Sequence, residues 1–187
     1  MKKLGTRMFA AGAMAAALML AWPPSHAQAV EQFSLTFTDT NQDNDIDTTG
    51  IPGNYSYSAN GTGLTSSGVK LLLGANIEYL NPVTPKDCPA GYVEYPYVPG
   101  GVVVLSFFTG DQLFMQIGGA SYGCFNNATL TGFDVYSGTV TGGLGRYANA
   151  TGTWSGTSHG EELRVDAAGH EFGSDVGTFN VRVTTPN

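Results

Sequence analysis

The chain has 187 residues, of which only 12% are charged, and its formal net charge is −7 at neutral pH. An acidic surface repels phosphate backbones and anionic lipid headgroups, so this composition argues against nucleic acid as a partner. The length is that of one domain with a sizeable core.

Residues 1–27 predict a secretory signal peptide. A basic start precedes an almost wholly apolar run over residues 8–22, and Ser25-His26-Ala27 is a small-x-small cleavage site typical of bacterial signals. The apolar run is shorter than the roughly 20 residues of a membrane-spanning helix, although an uncleaved anchor stays an alternative. Cleavage after Ala27 would leave residues 28–187 as one secreted or periplasmic domain with five basic and fifteen acidic side chains.

The exported region predicts strands rather than helices. Apolar side chains alternate with polar ones over residues 33–38, 69–73 and 178–183, and no window shows apolar positions at helical spacing. Residues 102–108 and 113–117 are apolar on both faces, so we expect them to be covered on both sides or to face a partner. Eight or more short strands predict an all-β antiparallel barrel, with a β-sandwich as the alternative. Such a barrel is not expected to span a membrane, because its strands are short and polar on one face and residues 184–187 include no aromatic side chain.

Residues 39–47 partly match a calcium-binding loop. Oxygen-bearing side chains fall at loop positions 1, 3, 5, 7 and 9, which are Asp39, Asn41, Asp43, Asp45 and Asp47. The match fails at position 6, where Asn44 replaces glycine, and at position 12, where Gly50 replaces the closing glutamate. A weak calcium site and a solvated acidic loop between strands are both open interpretations.

Glu78 is the acid inside a strongly apolar predicted strand, between Ile77 and Tyr79. If it faced a dry lumen, its pKa would rise and it could serve as a general acid or base. Alternation with period two equally places Glu78 in water.

Residues 81–101 contain five prolines and predict a long irregular connection, because proline cannot donate to a sheet ladder. Tyr92, Tyr95 and Tyr97 lie in it, either as a lid over a barrel mouth or as rings packed on the exterior. Export makes its Cys88 a natural disulfide partner for Cys124, the alternative being two buried free thiols.

Turn residues punctuate the predicted strands at Asn60-Gly61, residues 109–111, residues 134–138 and residues 166–169. The last of these turns determines how far apart five residues lie whose types suit zinc binding or acid–base chemistry. These residues are His159, Glu161, Glu162, His170 and Glu171. With that turn, the two imidazoles would lie roughly 20 Å apart along the strands. The same register puts Arg164 opposite Glu171, which predicts an ion pair on the outside of a sheet rather than a metal site.

Residues 141–157 carry glycines at the spacing of a strand, a tight turn and a second strand. The segment GGLGRYANATG over residues 142–152 is similar to the GGTG-(R/K)-F-x-x-A-x-G signature of the allene oxide cyclase and dirigent-like barrels, with Leu144 in place of the usual threonine. This resemblance implies an eight-stranded antiparallel barrel whose lumen holds small apolar molecules. Some members of that superfamily steer cyclisation or radical coupling, and many bacterial relatives have no known activity.

Three functional classes follow as expectations. The first is a module that binds a small apolar molecule in the lumen, without a cofactor apart from the possible calcium. The second is an isomerase or cyclase of the allene oxide cyclase type, in which Glu78 and Tyr95 are the weak catalytic candidates. The third is a structural or surface-interaction protein with a filled barrel. The sequence has no G-x-S-x-G elbow, P-loop or H-E-x-x-H motif.

Overall fold

The computed structural model describes residues 28–44, 55–167 and 170–186. The predicted signal peptide therefore lies outside the described residues. The described part forms ten strands: β1 Ala29–Asn44, β2 Tyr55–Thr65, β3 Lys70–Tyr79, β4 Val93–Pro96, β5 Val102–Phe107, β6 Gln112–Ile117, β7 Tyr122–Asn126, β8 Thr131–Leu144, β9 Thr151–Val165 and β10 Glu171–Thr185. A one-turn 3-10 helix, Gly145–Tyr147, follows β8. None of the helical segments among these residues is long and apolar enough to cross a membrane.

Eight of the strands close into an antiparallel barrel in the order β9-β10-β1-β2-β3-β5-β6-β8. Pairing of β8 with β9 over ten residue pairs, from Thr131↔Glu161 to Val140↔Gly152, completes the ring. The predicted barrel is thus confirmed, and the β-sandwich alternative is wrong.

The other two strands, β4 and β7, complete the wall at one end. β5 and β6 have only six residues each, so β8 extends beyond β6, and there its residues Thr131–Val135 pair with β7. β4 pairs in turn with β7, and the bridge Tyr79↔Tyr97 connects it to β3. The predicted disulfide is confirmed: Cys88 is bonded to Cys124, so the proline-rich connection is attached to β7. We call this end of the barrel the acidic end and the opposite one the base.

Apolar side chains fill the base and the middle of the lumen. Leu71, Leu105, Leu113 and Tyr147 are fully buried, and Tyr147 lies against Phe107 with ring centroids 5.4 Å apart. A layer of aromatic rings above them separates the base from the acidic end; its members are Phe37, Tyr136, Trp154 and Phe179. The lumen is therefore closed at the base.

The glycine-rich hairpin has the architectural role that the sequence predicted. Gly142 and Gly145 have φ values of +141° and +64°, which side-chain-bearing residues rarely adopt. A Cβ atom on Gly143 would lie 2.1 Å from the carbonyl oxygen of Gln112 on β6. Close approach of β8 to β6 thus requires glycine there.

Two of the predicted turns are wrong, because Asn60-Gly61 lies inside β2 and residues 134–138 lie inside β8. Gly61 is needed for space: its Cβ would lie 2.5 Å from Cβ of Asp39, its partner on β1. The turn at residues 109–111 is confirmed, with a hydrogen bond of 2.9 Å from the amide of Gly110 to the carbonyl oxygen of Phe107. The connection 81–101 is less irregular than predicted, because it contains β4.

The outer face is exposed at the start of β5 and in the turn after it, and half-buried between them. Val102 is 45% exposed and Phe108 is 71% exposed, whereas Val103, Leu105 and Phe107 point into the core. Coverage of both faces within the chain, one of the two predictions for this segment, is therefore wrong, and a partner on the outer face stays a prediction.

Candidate functional site

A cavity of about 310 Å³ opens into the lumen at the acidic end. This volume is at the lower end of the range typical of small-molecule sites, about 300–1,000 Å³. Tyrosines and carboxylates dominate the lining, namely Tyr55, Tyr57, Tyr79, Tyr95, Tyr97, Asp43, Asp134, Asp175, Glu161, Glu162 and Glu171. None of the described lining residues is lysine or arginine.

The segment predicted as an acidic loop is part of strand β1 as far as Asn44. Leu35 and Phe37 point into the core, and Asp39, Asn41 and Asp43 continue the same alternation, so their side chains face the lumen. The solvated-loop interpretation is therefore wrong for these residues.

The remaining two calcium candidates, Asp45 and Asp47, lie outside the described residues. Among the residues that are described, no group of three or more His, Cys, Asp or Glu side chains is arranged to hold a metal ion.

Asp175 on β10 receives hydrogen bonds from the next two strands of the barrel, β1 and β2. The Tyr57 hydroxyl donates to its Oδ2 at 2.6 Å, and Nδ2 of Asn41 donates to the same oxygen at 2.8 Å. Asp175 is only 9% exposed, so these two donors replace much of the hydration that its carboxylate has lost.

Asp134 on β8 is the centre of a second network. The Tyr97 hydroxyl donates to its Oδ1, and the Ser158 hydroxyl donates to its Oδ2 at 2.7 Å. Tyr136 shares a hydrogen bond of 3.3 Å with Ser158, so the network reaches down to the aromatic layer. The floor of the cavity is thus polar on its upper side and aromatic underneath.

Three of the inward-facing aspartates are each paired with a glycine on a neighbouring strand: Asp39 with Gly61, Asp134 with Gly123, and Asp175 with Gly160. A Cβ on Gly160 would lie 1.7 Å from Oδ1 of Asp175, and one on Gly123 would lie 2.7 Å from Oδ1 of Asp134. The glycines leave the space that the inward carboxylates occupy.

Burial raises the pKa of every aspartate in this group. The pKa of Asp39 rises to about 7, first because burial penalises the charged form and then because Asp175 and Asp134 are close. The pKa of Asp43 also rises to about 7 through burial, although the hydrogen bond of 3.0 Å from Tyr79 opposes the shift. Burial likewise raises the pKa of Asp134 and Asp175. Near neutral pH the cavity therefore holds protons that exposed carboxyls would have released.

Two carboxylate oxygens in this region have no hydrogen-bond partner among the described residues, Oδ1 of Asp39 and Oδ1 of Asp43. Asp39 is only 8% exposed. Buried polar atoms are normally satisfied, so each of these oxygens has an unused capacity to accept a hydrogen bond.

Tyrosine rings line the wall between β2 and β4. Tyr55 stacks on Tyr79 with centroids 5.3 Å apart, and Tyr95 meets Tyr79 edge to face at 5.5 Å. Tyr95 and Tyr97 thus lie at the mouth and floor of the cavity, whereas Tyr92 packs against Phe133. Two alternatives were predicted for these tyrosines, a lid over the barrel mouth and rings packed on the exterior, and each is right for part of the cluster.

Glu78 does not line the cavity. Its neighbours Ile77 and Tyr79 pack against or within the core, so Glu78 follows the opposite parity on β3. The other catalytic candidate, Tyr95, does line the cavity.

The two histidines of the last hairpin lie far apart along the strands, since His159 pairs with Val176 and His170 lies at the turn. Next to the turn, the register differs by one residue from the prediction. Val165 pairs with Glu171, and Arg164 pairs with Phe172, with its guanidinium carbon 4.9 Å from the ring centroid. The predicted Arg164–Glu171 pairing is therefore wrong. The prediction put Val165 opposite His170, whereas the backbone amide of Asp166 donates to the carbonyl oxygen of His170 and Val165 pairs with Glu171. Of this group, Glu161, Glu162 and Glu171 line the cavity.

Sequence reasoning missed Asp134 and Asp175, although the signal for Asp175 was present. Phe179, Val181 and Val183 alternate inward on β10, and the same parity extended toward the amino terminus reaches Asp175. On β8 the parity of Val140 and Tyr136 reaches Asp134. Extension of an apolar alternation into an adjoining polar stretch would have identified both.

A scan against models of protein families finds no match to this chain. A search of the curated proteins finds no match either. Among solved structures, the chain is similar to a pterocarpan synthase dirigent protein, with 11% sequence identity and a TM-score of 0.43 over 92% of this chain and 100% of that one. The eight-stranded barrel implied by the glycine-rich signature is confirmed by the strand pairing itself, independently of this likeness.

Proposed function

We propose that this protein is an exported binding module that holds a small molecule in the cavity at the acidic end. The observation that carries the proposal is the division of the lumen, which is packed with apolar side chains at the base and open over about 310 Å³ above the aromatic layer. A purely structural barrel has no need of such an opening, because solid packing throughout would stabilise it more. The disulfide agrees with export to an oxidising compartment.

Binding is favoured over an isomerase or cyclase activity by the arrangement of the polar groups. Glu78, the predicted acid or base, is not in the cavity lining. The hydroxyls of Tyr57 and Tyr97 donate to aspartates, so both are already engaged in holding the site together. The ligand was predicted to be apolar, and the aromatic rings in the wall suit the apolar part of one.

A matched pair of tryptophan variants on β9 tests the proposal. Glu162 lines the cavity, whereas the next residue, Leu163, is 59% exposed. Native mass spectrometry of protein from the cells that naturally produce it should detect a retained small molecule in the parent and in Leu163→Trp but not in Glu162→Trp. Retention by all three, or by none, would contradict a ligand held in this cavity.

A further inference from the structure

The cavity at the acidic end combines two features that together select for positive charge. Carboxylates enter it from three strands, through Asp43 on β1, Asp134 on β8 and Asp175 on β10. No lysine or arginine among the described lining residues neutralises them. An anionic ligand would therefore meet repulsion from every side.

The second feature is an unused acceptor beneath the cavity. Asp39 is more than nine-tenths buried, its side chain faces the lumen by the parity of β1, and its Oδ1 has no hydrogen-bond partner among the described residues. Oδ1 of Asp43, two inward positions further along β1, also has no hydrogen-bond partner among the described residues. The tyrosine donors of the site instead reach Asp175, Asp134 and the other oxygen of Asp43.

The wall around these acceptors is aromatic. Tyr55, Tyr79 and Tyr95 form a contiguous set of rings, each within 5.5 Å of the next between centroids, and Tyr57 and Tyr97 lie below them. The faces of aromatic rings attract cations, and an ammonium group desolvated by such rings and hydrogen-bonded to a carboxylate is strongly stabilised.

Resting on the proposed function, we propose that the ligand is a small organic cation. Its protonated amine lies at Asp175, above the buried carboxyl of Asp39, and its hydrocarbon part lies among the tyrosines. A bare metal ion fits less well, because the described acids form no group arranged to coordinate one and the opening is far larger than an ion. Asp175 lines the cavity, and Asp39 lies directly opposite it on the neighbouring strand, so the charge of Asp39 adds to that of Asp175 from beneath the cavity.

The test uses three series of probes, built on benzyl, phenethyl and cyclohexylmethyl groups, each as the amine, the alcohol and the carboxylate. Calorimetric titration of the disulfide-bonded protein at pH 8 should give affinities for the amines that exceed those of the matched alcohols by about tenfold or more. Asp39→Asn and Asp175→Asn should remove that preference. Glu31→Gln should retain the preference for amines. This substitution removes the same charge, but at the base, where Glu31 lies beside Arg146.

The outcomes separate the two proposals. Alcohols or carboxylates that bind as tightly as the amines, with binding abolished by Glu162→Trp, would overturn the cation proposal and leave the binding module intact. Amine binding that survives in both aspartate variants would overturn the cation proposal as well. No binding by any of the nine probes, together with no retained molecule in the natural protein, would overturn both.

Discussion

The hydroxyl of Tyr57 on β2 donates a hydrogen bond of 2.6 Å to Oδ2 of Asp175 on β10, past the intervening strand β1. The bond lies at the level where the apolar filling of the barrel ends and the cavity begins. It connects strands that do not pair with each other, so it contributes both to the shape of the site and to the closure of the sheet.

Tyr57→Phe should therefore destabilise the protein while the ring remains in place. Loss of a hydrogen bond to a buried carboxylate typically costs about 1.5–3 kcal/mol. We expect a decrease of that size in the free energy of unfolding by urea at pH 8, and a smaller decrease at pH 5, where Asp175 binds a proton more readily. An equal decrease at both pH values would show that the carboxylate is not involved.

The buried aspartates should make the protein more stable as the pH falls from 8 to 5. The pKa of Asp39 is about 7 in the folded state against 3.8 as an ordinary value, so between those pH values the folded state binds more protons than the unfolded one. Stability must then decrease as the pH rises through that window. Asp39→Asn should raise the free energy of unfolding at pH 8 by roughly 1–3 kcal/mol. One pKa unit corresponds to about 1.4 kcal/mol, and relaxation of the structure around the charged carboxyl makes the gain smaller than the full pKa shift implies.

Asp87→Asn is the control for this effect. Asp87 is on the surface in an ion pair of 3.1 Å with Lys86, so its loss should leave the pH dependence of the melting temperature unchanged. A parent protein whose melting temperature rises from pH 5 to pH 8 would contradict the predicted sign.

Ligand binding should release protons if the ligand is an organic cation. Asp39 is faced by Asp134, Asp175 and Asn41, and its pKa of about 7 would fall next to an ammonium group. At pH 7 about half a proton should leave for each carboxyl that titrates near neutrality. Titrations with phenethylamine in phosphate and in MOPS, whose ionisation enthalpies differ, should give different heats, whereas equal heats would exclude coupled proton release.

Reduction of the Cys88–Cys124 disulfide should loosen the acidic end before the base. The bond connects residues 36 positions apart and attaches the proline-rich connection to β7. The variant with both cysteines changed to serine should lose about 2–4 kcal/mol of stability. Hydrogen exchange should accelerate first in β4 and β7, and acceleration that begins in β9 or β10 would contradict the proposed division of the barrel.

Gly143 should tolerate no side chain, in contrast to Gly74. A Cβ on Gly143 would lie 2.1 Å from the carbonyl oxygen of Gln112 and 2.7 Å from Cβ of Tyr147, whereas one on Gly74 would meet no atom within 4 Å. We expect Gly143→Ala to cost about 2–4 kcal/mol in thermal unfolding and Gly74→Ala to stay within about 0.5 kcal/mol of the parent. Similar values for the two variants would remove the steric explanation of the signature glycines.

Much of the fold could be predicted from the sequence because apolar alternation is visible wherever one face of a strand contacts the core. Residues 33–38 and 178–183 show that pattern, and the glycines from 142 to 152 predicted a strand, a tight turn and a second strand, which are the end of β8 and the start of β9. The disulfide could be predicted from the expected export and from the presence of only two cysteines.

The site could not be predicted in the same way, because its strands are polar on both faces. Thr38, Thr40 and Gln42 face outward while Asp39 and Asn41 face inward, so hydrophobicity shows no alternation there and the stretch resembles a loop. Glycines that indicated turns, such as Gly61, in fact leave space for an aspartate across the sheet. Alternation extended from the apolar stretches identifies single inward side chains, but the pairing of distant strands is needed to show which of them come together in the lumen.

The shortness of β5 and β6 has a consequence for how such a protein can diversify. Because these two strands are short, the upper wall is built from a separate ribbon, β4 with β7, which the Cys88–Cys124 disulfide holds together and which pairs with β8 over five residue pairs. Exchange of residues 80–96 and 118–126 as a cassette would change the mouth of the cavity and would keep Tyr97, which belongs to the core cluster. Chimaeras that graft this ribbon between barrels of the same architecture are therefore a practical route to altered ligand preference.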